Sequence, residues 1–333
     1  MIDLSGNNFV IVGRAGMDIY PDPPGTKTEE ATHFFTCLGG SSANIAVAIT
    51  KQGGSASLVT RVSDDAVGRF AVNELKKYGI DHKHVTPVGG ETRTSLAVVE
   101  SRVEDHQSVI YRNGAADFQM AVQDVEAVDY SAYTALITTG TVFAAEPSRT
   151  AAFRAFELAK AAGLPLIFDI DYRPYSWPSP EVAAEVYSRA GAMCDVIIGN
   201  DVEFGFMAGD YAKGRAKAKA LVDGGAPIAV YKMGENGAIT YTQDGDIATG
   251  IYPANALKPT GAGDSFMGGF IAALAAGKSV KEAVLRGSAS ASMVVARVGC
   301  APAMPTTKEL DAFLRDHPGP TVPDAAQADQ TAA

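Results

Sequence analysis

A chain of 333 residues with 47% hydrophobic and 20% charged residues has enough apolar material for a large core, which excludes a disordered protein. Its formal net charge of −10 supplies no basic stripe to neutralise a phosphate backbone, which argues against a nucleic-acid partner and leaves any bound phosphate to be held locally. Cys37, Cys194 and Cys300 are odd in number and far apart, as reduced and packed thiols would be. Met1-Ile2-Asp3-Leu4 lacks a leader pattern and no later run approaches the roughly 20 apolar residues of a spanning helix, so no membrane is expected and a cytoplasmic location is.

Phe9-Val10-Ile11-Val12 predicts a short buried strand that breaks at a glycine loop running from Gly13 to Asp18. Ligands of open parallel sheets bind beyond the carboxyl ends of strands, which makes Asp18 a candidate for gripping hydroxyls. A stretch rich in Pro, Gly and charge follows over 19–36, then Leu38-Gly39-Gly40-Ser41-Ser42-Ala43-Asn44 opens a helix bearing Ile45, Val47 and Ile49. Paired glycines at Gly39 and Gly40 let backbone approach a ligand, and Asn44 can both donate to and accept from a hydroxyl. A second strand is expected at Leu58–Thr60 and an amphipathic helix over Asp65–Tyr78, stopped by Gly79. Between Arg93 and Arg112 the alternation turns to a hairpin about Glu104-Asp105-His106. With part of 19–36 it would make a small β lid. Arg112 at its end can fork onto a carboxylate, or simply be a solvated edge charge.

Strands and helices then alternate: Ala135–Thr138, a helix over 148–162, Leu166–Ile170, a helix over 180–193, Val196–Ile198, and Ile228–Tyr231. That beat predicts a mostly parallel sheet covered on both faces. Three of these strands release polar groups at the same end: Asp169, Asp171 and Arg173; Asn200 and Glu203; Lys232, Gly234 and Gly237. All should rim one cleft. Pro259-Thr260-Gly261-Ala262-Gly263-Asp264 begins a long apolar helix marked by Phe266, Phe270, Ile271 and Leu274. Glycines before a helix expose backbone N–H groups at its positive end, so Gly261, Ala262 and Gly263 suit an anion. Asp264 is out of place beside an anion unless it removes a proton, although an acid can also cap its own helix. Small residues from Ser288 to Ala291 could face an adenine ring or another helix. Gly277-Lys278-Ser279 is no P-loop, because Ala272 stands where the first glycine belongs.

Gly261-Ala262-Gly263-Asp264, the Gly39-Gly40…Asn44 segment and Asn200-x-x-Glu203 resemble the signatures of the ribokinase/PfkB family of sugar kinases. The resemblance spans about residues 9–315. It implies a ribokinase-like three-layer α/β/α fold with a mostly parallel central sheet and a small β-sheet lid. One domain would occupy 1–318, its lid drawn from parts of 14–38 and 92–114, and residues 319–333 would form a disordered tail. It further implies ATP with Mg²⁺, Asp264 as general base, and Gly261, Ala262 and Gly263 as the anion hole. Asp18, Gly39, Gly40, Asn44, Asp171, Arg112 and Arg173 would bind the sugar; Asn200, Thr260, Lys232, Gly234 and Gly237 the nucleotide; and Glu203 the Mg²⁺ through water. Two departures stand out: Asp171 replaces a family Asn, and Lys258-Pro259-Thr260 replaces an Asp-Thr pair. Gly13-Arg14-Ala15-Gly16-Met17-Asp18 and Val103-Glu104-Asp105-His106 look most like the acid-sugar kinases of the family. A homodimer through the lid and activation by a monovalent cation are both open, as is a catalytically silent sugar-binding role.

Overall fold

The computed structural model describes residues 2–317 together with Gly319 and Pro320. The expected tail of 319–333 therefore lies almost wholly outside the described residues.

The chain moves back and forth between two sheets. β1 (Asn8–Val12) opens the main sheet, and β2 (Gly16–Asp22) and β3 (His33–Gly39) leave it to start a second. β4 (Ser55–Ser63) and β5 (Asp81–Val88) return, and β6 (Leu96–Val99) and β7 (Ser108–Tyr111) complete the second sheet. β8 (Ala135–Thr139), β9 (Leu166–Asp169), β10 (Val196–Asn200) and β11 (Ile228–Lys232) extend the main sheet with helices between them, and β12 (Ala238–Thr242) and β13 (Ile247–Thr249) finish it.

The nine-stranded sheet runs β13-β12-β11-β10-β9-β8-β1-β4-β5, and only the β11–β12 and β12–β13 pairs are antiparallel. Its strands are apolar on both faces, and the period of two sends neighbours to different cores. In β1, Val10 and Val12 join one core while Phe9 and Ile11 join the other. In β11, Ala229 and Tyr231 go one way and Ile228 and Val230 the other. Helices Ser148–Ala161 and Pro180–Met193 cover the first face; Ser41–Lys51 and Ala262–Ala275 cover the second. The result is the expected three-layer α/β/α fold.

The smaller sheet, β3-β2-β6-β7, is the lid. Asp18 belongs to it, paired with Cys37 two residues into β2, and not to a loop at the end of the main sheet as the glycines at 13 and 16 suggest. The helix at Ala66–Lys77 starts where Asp65 accepts hydrogen bonds from the amides of Val67 and Gly68. From β1 the chain builds outward to β4 and β5, then crosses to β8 on the other side of β1. That reversal opens a crevice at the carboxyl ends of β1 and β8, where open α/β sheets bind ligands.

Candidate active site

A cavity of about 770 Å³ lies over these strand ends, between the main sheet and the inner face of the lid. Register explains its floor. Asn200 stands directly opposite Lys232 in the β10–β11 pair, and Ile198 opposite Asp169, so the ends of β9, β10 and β11 present their polar residues side by side. Ala97, Val99, Ser108 and Ile110 of the lid line the roof.

At the centre is the turn before helix Ala262–Ala275. Gly261 has φ +87°, and a Cβ there would come 2.8 Å from Cys300 Sγ, so only glycine fits. The first intrahelical bond is Ser265 N–H to Gly261 O at 3.0 Å, which leaves the amides of Ala262, Gly263 and Asp264 without an intrahelical acceptor. Asp264 Oδ2 accepts from Asn44 Nδ2 at 2.9 Å, while the buried Asn44 Oδ1 has no partner. Burial, reinforced by the charge of Asp171, pushes Asp264 up to about 7 against the opposing Asn44 hydrogen bond and Arg173. A carboxylate held there, next to an unused carbonyl oxygen and beneath free amides, can take a proton from a hydroxyl whose oxygen is poised to attack an anion.

The sugar-side residues expected from sequence largely converge. Gly39 leaves the room that Asp18 fills, since a Cβ at 39 would fall 1.9 Å from Asp18 Oδ1. Gly40 has φ +97° and backs onto the Arg14 carbonyl. Asp18 is buried, and burial pushes it up to about 6 although Arg14 pulls the other way. Asp171 takes φ +36°, a left-handed conformation uncommon for Asp outside constrained sites. Burial opposes its ionisation, but Arg173, Ser41 and Arg14 outweigh burial and hold it below the usual carboxylate range. Arg173 Nη2 is 2.8 Å from Asp171 Oδ1, and its Nη1 donates to the Tyr172 carbonyl.

Arg112 departs from expectation. Its Nε and Nη2 both donate to Asp117, Nη2 also donates to the Thr141 carbonyl, and its guanidinium lies 4.0 Å from the Phe118 ring centroid. It is buried and does not line the cavity. The acid that captures it, Asp117, sits five residues on in a 3₁₀ turn whose geometry the sequence does not announce.

The nucleotide-side residues also assemble. Gly234 and Gly237, with φ of +56° and +83°, line the far end with Gly250–Tyr252. Facing them, Ser288, Ala291, Ser292 and Val295 form one stripe of helix Val280–Val295, while Ala289 and Ser290 turn into the protein. The small residues thus serve both a cavity wall and helix packing. Asn200 and Glu203 cap their own helix reciprocally: Glu203 N–H to Asn200 Oδ1 is 2.8 Å and Asn200 N–H to Glu203 Oε2 is 2.7 Å. Burial raises Glu203, and burial raises Asp169 more strongly, with Lys232 opposing both. Among the described residues no three acidic, His or Cys side chains form a ready metal cage. Magnesium suits such a place only with water and phosphate as most of its ligands, and Glu203 and Asn200 fit that limited share.

Two residues were not assigned a role by sequence reasoning. Arg14 lines the cavity beside Asp18. Lys258 is fully buried, and its Nζ donates to the carbonyls of Thr260 at 2.5 Å and Val294 at 3.4 Å, tying the anion turn to the end of helix Val280–Val295. An arginine two residues past the end of the first strand was a legible signal for the former; nothing local marks the latter.

A two-faced parallel sheet with a β lid over a glycine turn with an acid at its helix start is the arrangement that the sequence signatures lead one to expect of a ribokinase-like fold. Residues 7–307 match the family model described as pfkB family carbohydrate kinase, and the chain belongs to that family. Among its relatives is a 5-dehydro-2-deoxygluconokinase of Geobacillus kaustophilus (strain HTA426), 37% identical over 315 residues, covering 93% of this chain and 94% of the relative. Another, of Photobacterium profundum, is 35% identical over 310 residues, covering 92% and 94%. Of solved structures, a fructokinase from Vibrio cholerae O395 with fructose, ADP and calcium ion superposes with a TM-score of 0.81 at 25% identity, covering 93% of this chain and 99% of that one. A putative ribokinase II from E. coli in complex with ATP and Mg²⁺ has a TM-score of 0.83 at 20% identity, with coverage of 93% and 99%, and bears on the fold alone.

Proposed function

We propose that this carbohydrate kinase transfers the γ-phosphoryl group of ATP to O6 of 5-dehydro-2-deoxy-D-gluconate, a step of myo-inositol catabolism. The observation that carries the chemistry is Asp264, raised to about 7 at the helix start, with the free amides of residues 262–264 above it and the unused Asn44 carbonyl oxygen beside it. The observation that carries the substrate is the identity of 35–37% over more than nine-tenths of the chain to relatives of that name.

Asp18, Gly39, Gly40 and Asn44 orient the sugar so that its terminal hydroxyl meets Asp264, which accepts the proton as the oxygen attacks phosphorus. The amides of Ala262, Gly263 and Asp264 receive the charge that spreads over the transferring phosphoryl oxygens. Lys232 stands at the same turn, its Nζ 3.7 Å from where a Gly263 Cβ would be, and steadies the departing phosphates. Asn200 and Thr260 flank the phosphates, and Gly234 and Gly237 border the base. Magnesium bound with ATP would neutralise the phosphate charge, and Glu203 would be the residue that helps hold it through water. The lid excludes water: His106 of the β6–β7 turn already meets Thr260 Oγ1 at 3.5 Å.

The test is ADP release with Mg-ATP and a panel of 5-dehydro-2-deoxygluconate, 2-dehydro-3-deoxygluconate, fructose and ribose. A kcat/KM for the first at least tenfold above the rest is expected. Preference for the second acid would keep the mechanism and overturn the substrate.

A further inference from the structure

The cavity holds more acid than base, and an acidic substrate needs a cation that is not already spent. Among the described residues three cationic side chains line it: Arg14, Arg173 and Lys232. Arg173 is closed onto Asp171 at 2.8 Å. Lys232 stands at the anion turn, beside Gly263, and belongs to the phosphate end. Arg112, the other arginine near the sugar end, is consumed by Asp117.

Arg14 differs from all of these. It is 8% exposed and makes no ion pair among the described residues. Its Nη1 donates to Ser95 Oγ at 3.0 Å, which anchors one corner of the guanidinium to the approach of lid strand β6. Its buried Nε has no hydrogen-bond partner. A guanidinium held at one corner with its Nε edge unused, buried in a substrate cavity, is a fork set for a planar anion, because an unsatisfied buried donor is costly until something accepts from it. Glycine at Gly40 brings the backbone of the sugar-binding turn against the Arg14 carbonyl, which also accepts from the Ala43 amide at 3.2 Å, so the backbone that carries the arginine is joined directly to the sugar loop.

We infer that Arg14 is the specificity-determining residue of this site: its Nε edge binds the substrate carboxylate at the end of the sugar acid remote from the hydroxyl that Asp264 deprotonates, with Ser95 as its positioning residue. This rests on the acid-sugar reading above and assigns the group that reads the acid.

Two measurements separate the inference from that reading. The first is steady-state kinetics of wild type, Arg14→Gln and Arg14→Lys with 5-dehydro-2-deoxygluconate and with its C1 primary alcohol. Arg14→Gln should raise KM for the acid by roughly 10- to 100-fold, leave KM for ATP unchanged, and abolish the preference for acid over alcohol. Arg14→Lys should restore part of that preference, which a purely structural role would not require. Equal losses on acid and alcohol would overturn the inference. The second is calorimetric titration with D-gluconate and with D-glucitol, which needs no turnover. Wild type should bind gluconate more tightly than glucitol, and Arg14→Gln should lose that difference while keeping its thermal midpoint. Gluconate bound equally by both proteins would overturn the role of Arg14 whatever the true substrate. A wild type inactive on 5-dehydro-2-deoxygluconate that still binds gluconate through Arg14 would overturn only the assigned substrate.

Discussion

Asp264 is the residue at which stability and the proposed activity oppose each other. Its carboxyl titrates near 7 in the folded chain, against an ordinary value of 3.8. The folded state therefore retains a proton that the unfolded chain releases between about pH 4 and 7, so the group's contribution to stability is complete below about pH 4 and is lost as pH rises through about 7. Asp264→Asn should leave stability unchanged near pH 4 and raise it by about 1–2 kcal/mol at pH 8, read as a shift in urea midpoint. The same variant should lower kcat by roughly 10²- to 10⁴-fold. A stabilised protein with near-normal turnover would remove Asp264 as base. In the wild type, kcat/KM should fall on the acid side with an apparent pKa near 7, as the free enzyme's base becomes protonated. A flat profile from pH 6 to 8 would point to another base.

At the scale of elements, the anion turn depends on what lies behind it. Lys258 has no carboxylate partner among the described residues, yet it is fully buried, its ammonium spanning the carbonyls of Thr260 and Val294. A buried charge persists only where it is well bonded, and here it fixes the turn relative to helix Val280–Val295, whose small-residue stripe forms a cavity wall. Lys258→Met keeps the volume and removes the tether. Its thermal midpoint should stay within a few degrees, because an apolar replacement for a buried charge is often neutral, while kcat/KM for ATP falls at least roughly tenfold. Unchanged kinetics would reduce Lys258 to packing. Carbonyl oxygens of this kind suit a monovalent cation, and the lysine already fills them. Replacing sodium by potassium in the assay should therefore leave the wild-type rate unchanged.

At the scale of the whole molecule, the lid has two faces. Its inner face covers the cavity, and its outer side exposes Phe34, Val109 and Tyr111, the last at 63%. Apolar residues gathered on a four-stranded sheet favour association with a second lid. Sedimentation velocity should give a dimer for the wild type and a monomer for a Phe34→Asp, Val109→Asp double variant. A wild-type monomer at micromolar concentration would end the dimer reading.

The alternation of apolar strands and helices was enough to specify the three-layer fold, because a parallel sheet buried on both faces requires it, and the helix at Pro180–Met193 appears with its expected bounds. The turn from Gly261 to Asp264 and the Asn200–Glu203 pair were legible too, since both are local: one is a helix start that only glycine can make, the other a reciprocal cap. What sequence could not decide was which arginine is free. Arg112, Arg173 and Arg14 look alike along the chain. Tertiary structure closes the first onto Asp117, pairs the second with Asp171, and leaves the third without an ion pair among the described residues and with a buried Nε unpartnered, because charge pairing depends on which carboxylates the fold brings within reach. The placement of Asp18 on the lid and the burial of Lys258 were likewise set by packing between segments distant in sequence.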